Sequence, residues 1–323
     1  MIKLGEIYMP ITKREAFRAI AEQARKRAKL DYDESAILSE ERIASFAESP
    51  ELKYKRLAEV LLNKIPKSGG HPHYDYLAEI MSVGTTEEGV ITTLFMDLKN
   101  FTKYCCFLTP TAVFQAKSAS IETVIGICRV YGGHLHSITG DGVMFFFGGR
   151  DGDHLQFARN AVNAAADSMD ILGKEVMREY NSREDYPSIH PKIGVDYGSA
   201  LWGAMGAAPH FEAKATSFNV DIANKMMGAR NSQEVAVGDE LRKFIEIDEG
   251  KFLTKDWCYE RELTVSGQLK KISYPTYIFD WNKWLENKSE DNSDLAKIGI
   301  VQIAAPFIIN QSRTQLAEST PLG

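Results

Sequence analysis

Cysteine is scarce. The 323-residue chain has four: Cys105, Cys106, Cys128 and Cys258. Cys105-Cys106 is not a CxxC pair, and no Cys/His set has zinc spacing. A disulfide framework and a structural zinc site are therefore not expected. A net positive charge is lacking too. The formal charge is −6 at pH 7, whereas a general nucleic-acid surface is basic, so nucleic acid is not expected as a partner. No apolar run approaches the roughly 20 residues of a membrane span. The start, "MIKLGEIYMPITKREAF", has no secretory apolar core, and no internal repeat is evident. These absences lead to the expectation of a reduced, cytoplasmic protein with no membrane span.

What is present is ordinary globular material, 44% hydrophobic and 25% charged. Residues 12 to 66 carry helical periodicity. "TKREAFRAIAEQARKRAKL" sets Phe17, Ile20, Ala21 and Ala24 on one stripe. "SEERIASFAE" opens with Ser39 as an N-cap, and "ELKYKRLAEVLLNKI" stops at Pro66. Mixed Lys, Arg and Glu favour packing or dimerisation over membrane binding for these helices. "SGGHPHYD" reads as a linker. From about residue 86 the pattern alternates: a strand at 90–97, a long helix at 109–131, a hairpin, then an Ala-rich helix. The strand-like runs "PKIGVDYGSA" and "LWGAMG" lead to the helix "NVDIANKMMGARN". Short strands at "EVAV", "ELTVSG" and "PTYIFDW" complete an α/β (α+β) sandwich. The expected division is a helical extension at 1–85, a catalytic domain at 86–282 and a tail at 283–323 packing on its own chain or a partner.

Two carboxylates stand out. "ITTLFMDLKNFTKY" climbs through Ile91, Leu94, Phe95 and Met96 and places Asp97 at the strand end. "HLHSITGDGVMFFF" puts Asp141 at a hairpin tip. Either alone is explained by turn chemistry, D-G being a favoured turn pair. Together they fit two strand ends brought to one sheet edge by the connecting helix. Oxygen-only ligands suit a hard cation such as Mg²⁺ or Mn²⁺, which keeps substrate phosphates as its remaining ligands. "LKNFTKY" adds Lys99, Thr102 and backbone amides near a helix start, where phosphate oxygens can be held. His134 and His136 alternate without a third zinc ligand. Trp202 and the "DWNKW" pair read as packing anchors.

"FMDLKNFT", "GGHLHSITGDGVMFFFG", "KIGVDYGSALWGAMG" and "NVDIANKMMGAR", in that order, resemble the catalytic domain of class III nucleotidyl cyclases. The resemblance covers about residues 88 to 280. It implies a ferredoxin-like βαββαβ core working as a head-to-tail homodimer with shared active sites. It implies two divalent ions, Mn²⁺ or Mg²⁺, on Asp97, Asp141 and the Leu98 carbonyl. It implies triphosphate binding by Leu98, Lys99, Asn100, Phe101 and Thr102. In the family's reaction the ribose 3′-hydroxyl attacks the α-phosphate and pyrophosphate leaves.

The departures are as informative as the match. The base-reading positions fall on Ser137 and Lys214, with Thr216 nearby, and neither the adenine nor the guanine reader set is present. The transition-state pair, Asn and Arg in the family, aligns to Asp221 and Lys225. A shifted alignment would give Asn224 and Arg230. Lys271, with Lys270 beside it, matches a further phosphate-binding lysine. These departures resemble the pyrimidine cyclases of the bacterial anti-phage system called Pycsar. Those enzymes make cyclic UMP or cyclic CMP, which a separate effector protein reads. Donation from Lys214 to the uracil O4 puts UTP first and CTP second as expected substrate. The rival readings are a purine cyclase with unusual readers, an inactive cyclase-like sensor or dimerisation module, and a ferredoxin-like binding domain with two turn aspartates.

Overall fold

The computed structural model describes residues 13–28, 86–149, 151–182, 189–207, 210–266 and 268–288. The helices expected at 39–66 and the tail from 289 onward lie outside the described residues. Helix α1 (Lys13–Ala28) is followed by β1 (Thr86–Lys99). Ile91 to Met96 are buried in succession, as befits a strand covered on both faces. Then come α2 (Phe101–Phe107), α3 (Pro110–Val130), β2 (His134–Thr139) and β3 (Gly142–Gly149). Helix α4 (His154–Ile171) runs into a π-helical turn (Leu172–Val176) and the short α5 (Arg178–Asn181). Strand β4 (His190–Ala207), β5 (His210–Thr216), α6 (Phe218–Gly228), β6 (Val235–Gly238) and α7 (Asp239–Phe244) follow. The hairpin β7 (Leu253–Val265) and β8 (Gln268–Phe279), then α8 (Trp281–Lys288), complete the order.

The eight strands form one sheet in the order β2-β3-β1-β4-β6-β8-β7, with β5 paired to the outer part of β4. Its first four strands, β4-β1-β3-β2, are mutually antiparallel and are joined in chain order by α3 and α4. That is the expected ferredoxin-like βαββαβ core. On one face Leu94, Met96, Leu98, Phe145 and Phe147 pack in the larger core. On the other face Ile91, Phe95, Met144, Phe146 and Trp202 meet Ile222 and Met226 of α6. α6 lies very close to β4, since a Cβ on Gly194 would fall 2.2 Å from the Ala223 carbonyl.

Several sequence expectations change. "PKIGVDYGSA" and "LWGAMG" form one strand, β4, because both halves pair continuously with β1 from Lys99↔His190 to Thr86↔Gly203. The two carboxylates are separated by two helices and β2, not one helix, since Phe101–Phe107 is helical itself. β7 and β8 are far longer than expected, pairing out to Val265↔Gln268. Their outer ends are polar on alternate positions and exposed, so no apolar run marks them.

α1 docks on the domain by its apolar stripe. Phe17, Ala21 and Ala24 are buried, and Ile20 sits against Gly126 of α3. Phe17 meets Tyr131 at 6.0 Å between ring centroids. Arg27 bonds Glu122 at 2.5 Å and Arg18 bonds Glu175 at 2.8 Å around the rim. The tryptophans are anchors, as expected. Trp202 is set edge-on to Phe146 at 4.8 Å, and Trp284 donates to Asn163 at 2.9 Å.

Candidate active site

Asp97 is brought next to the β2–β3 turn by the pairing of β1 with β3. Met96 pairs with Val143, so Gly142 and Asp141 come alongside Asp97. A Cβ on Gly142 would lie 2.4 Å from the Met96 carbonyl and 3.4 Å from Asp97 Oδ1, so only glycine admits this approach. The Leu98 side chain is buried, but its backbone is directed by strand alternation. Ile193 donates to the Glu234 carbonyl and Gln233 to the Pro191 carbonyl. Pro191 and Ile193 therefore turn their backbone groups towards β6. Lys192 turns its groups towards β1, where it pairs with Asp97. Leu98, next in line, turns its carbonyl the opposite way, towards the β2–β3 turn. Two carboxylates and one carbonyl thus converge.

The electrostatics match that crowding. Burial, and then the neighbouring Asp97 charge, push the Asp141 carboxyl up to about 6. Two cations flank the pair. Lys192 Nζ is 2.8 Å from Asp97 Oδ2. Lys117 of α3 lies half-buried, 6.0 Å from the centre of the Phe101 ring. Burial lowers its pKa, and the Asp141 charge opposes that shift. Neither lysine stood out in the sequence. Lys192 opens a strand like any edge lysine, and Lys117 is one polar residue in an amphipathic helix.

Asn100 turns the chain from β1 into α2 in one step, with a left-handed φ of 68°, a conformation that asparagine tolerates. Phe101 and Thr102 form the first turn of α2, and the Asn100 side chain does not cap it. Lys99 reaches sideways to the Arg230 carbonyl at 3.3 Å. Ser137 stands on β2 opposite Met144, its Oγ 3.9 Å from the Met144 sulfur. The His136 ring lies tilted against Phe146, 4.7 Å between centroids, and among the described residues no group of three or more His, Cys, Asp or Glu could hold a metal ion.

The remaining predicted residues lie on β5, α6 and β8. Lys214 pairs with Gly203, which pairs with Thr86, so it is level with the start of β1, eleven residues from Asp97. An extended stretch of that length runs roughly 35 Å before coiling shortens it. Thr216 ends the same strand. Asp221 and Lys225 are ion-paired with each other on α6, and Lys225 lies 5.6 Å from the centre of the Tyr259 ring. Lys271 is on the projecting β7–β8 hairpin, 3.0 Å from Glu260. Arg230, the shifted alternative, is buried and bound to Asp256 at 2.5 Å, which removes it from any exposed site. Lys214 thus stands far along the sheet from the carboxylate end of β1.

The family model described as the adenylate and guanylate cyclase catalytic domain matches residues 83–279. A cytidylate cyclase of Staphylococcus aureus is 28% identical over 215 residues, covering 64% of this chain and 50% of that protein. A cytidylate cyclase of Escherichia coli is 29% identical over 231 residues, covering 68% and 49%. The chain therefore spans about half the length of the curated relatives it matches. In fold it is similar to the crystal structure of the adenylyl cyclase CyaB from P. aeruginosa, with a TM-score of 0.50 and 19% identity over 60% of this chain and 95% of that one. With most of its described sheet inside the matched span, this chain belongs to the class III nucleotide cyclase family, whose catalytic domain it carries.

Proposed function

We propose that this chain is a pyrimidine nucleotide cyclase, closing CTP to 3′,5′-cyclic CMP with release of pyrophosphate. The observation that carries the reading is the Asp97–Asp141 pair with the Leu98 carbonyl turned towards it, on a chain without a purine reader set. The named relatives, both cytidylate cyclases, support CTP over the UTP first expected from Lys214. The chemistry of cytosine is compatible. Its O2 and N3 accept, which suits a lysine, and its amine at C4 donates, which suits Ser137 Oγ. The Met144 sulfur beside Ser137 is a weak partner. UTP is the second reading, favoured by the same Lys214 donating to O4.

Asp97, Asp141 and the Leu98 carbonyl fit two divalent ions, Mg²⁺ or Mn²⁺. They are hard oxygen donors too few to enclose an ion, leaving positions for substrate phosphates. Such ions supply charge beside the attacking and leaving oxygens of an in-line displacement. Lys99, Asn100, Phe101 and Thr102 line the turn into α2 beneath the triphosphate. Lys214, Thr216, Lys225 and Lys271 come from a second copy, so the homodimer completes each site. Asp221 acts differently from the family's Asn. An ionised carboxylate cannot donate, but its ion pair holds Lys225, and Lys225 then carries the positive charge to the phosphate. The catalytic domain at 86–282, with flanking segments at 1–85 and 283–323, belongs to the same proposal. So does a product read by a separate effector in anti-phage defence.

The test is product identity. Purified protein with Mn²⁺ and equal CTP, UTP, ATP and GTP should yield mainly cyclic CMP by chromatography. Mainly cyclic UMP would install the second reading. Cyclic AMP or GMP as the main product would overturn the pyrimidine assignment. No cyclic product from any triphosphate would favour an inactive cyclase-like module.

A further inference from the structure

A carboxylate is buried where the reaction above has no use for one. Asp196 of β4 has 0% of its surface exposed. The Tyr274 hydroxyl of β8 donates to its Oδ2 at 2.8 Å and accepts from the Glu240 amide of α7 at 2.9 Å. Asn219 of α6 donates to it at 3.2 Å, and the amides of Tyr197 and Leu241 donate as well. A Cβ on Gly238 would lie 2.2 Å from Asp196 Oδ1, so the chain keeps glycine there to admit the carboxylate. Its hydrogen-bond partners are thus a hydroxyl, a side-chain amide and backbone amides. Burial pushes its acid up to about 7, against the hydrogen bonds that favour the charged form.

Burying an acid is costly, so what it joins matters. Asn219 stands two residues before Asp221 and six before Lys225, in the first turn of α6. Tyr274 stands three residues after Lys271. Phe218 closes over the Tyr274 ring at 5.2 Å. The single carboxylate therefore ties the helix that carries Lys225 to the strand that carries Lys271.

We propose that Asp196 is a positioning residue, locking the first turn of α6 to β8 so that Lys225 and Lys271 reach one substrate together. The proposal rests on the cyclase reading. A displacement of about 1 Å at a reacting centre can cost on the order of a hundredfold in rate, so loss of the tie should fall on kcat, not KM.

The experiment uses full-length Asp196→Asn and Tyr274→Phe, the second removing only the bridging hydroxyl, with CTP or UTP, whichever the unmodified protein turns over, and Mn²⁺. Each should keep its dimer and lose roughly tenfold or more in kcat, with KM within about twofold. Mixed dimers then locate the lesion. Asp196→Asn with Asp97→Ala should regain activity, because one hybrid site has an intact half from each chain. Asp196→Asn with Lys225→Ala should regain none, because both lesions lie in the same half. The reverse pattern, or a loss of kcat matched by global unfolding in both variants, would overturn the proposal. The control mixture, Asp97→Ala with Lys225→Ala, tests the shared site itself. If it gives no rescue, the shared-site reading fails, and the kcat–KM split of Tyr274→Phe alone decides for or against Asp196.

Discussion

Asp141 lies half-buried beside a second carboxylate, and both circumstances disfavour its charge. Its folded pKa of about 6 is above its ordinary value of 3.8. In metal-free protein the unfolded chain therefore releases this proton first as pH rises. The stability that the protonated group contributes is full below the ordinary value and is lost as pH climbs towards 6. Asp141→Asn should accordingly melt higher than the unmodified metal-free protein at neutral pH, the gap closing near pH 4. Mn²⁺ should raise the melting temperature of the unmodified protein and not of the variant. Calorimetry across pH reads both, and a variant less stable at neutral pH would contradict the repulsion. The carboxylates were legible in the sequence because Asp97 ends an apolar strand and Asp141 tips a hairpin that leads into another. Lys192 and Lys117 were not, because a cation's role here depends on which strand start and which helix turn lie beside Asp97 and Asp141. Only tertiary pairing decides that.

Elements were legible where one period ran unbroken. The stripe of α1 and the apolar run of β1 gave their packing faces correctly. β4 did not, since it reads as two runs meeting between Ala200 and Leu201. In the sheet those two residues are ordinary pairing positions opposite Gly89 and Glu88. α2 was missed because seven residues are too few to show a helical period. Two expectations follow at this scale. Phe17→Ala removes the ring that meets Tyr131, and a cavity of that kind costs about 3–5 kcal/mol. Denaturant unfolding should show that loss while turnover of the folded fraction persists. Gly194→Ala acts oppositely. Its new methyl collides with the α6 backbone, and overpacking costs about 1–3 kcal/mol. The displaced helix should then lower kcat more than stability. Normal kcat in that variant would argue that the placement of α6 does not matter to catalysis.

Across the whole molecule, Lys214 stands far along the sheet from the Asp97–Asp141 end, and the proposed site takes it from a second chain. A site that needs one group from each of two chains is lost when chains separate. Specific activity should therefore fall on dilution, in step with the dimer fraction measured by analytical ultracentrifugation, and return on concentration. Activity per chain that stays constant through dissociation would mean that one chain closes its own site.

The central strand also sets a schedule for synthesis. β1 finds its partners in β3, which ends at Gly149, and in β4, which ends at Ala207. Its apolar run leaves the ribosome about 100 residues before its second neighbour is complete. At about 5–20 residues per second that wait lasts roughly 5–20 s. During it, Ile91, Leu94, Phe95 and Met96 stand on a nascent chain with one side of the strand unpaired. The same burial that holds Asp97 at the lip of the finished sheet thus makes its strand, while the chain is being made, a segment for chaperones to cover.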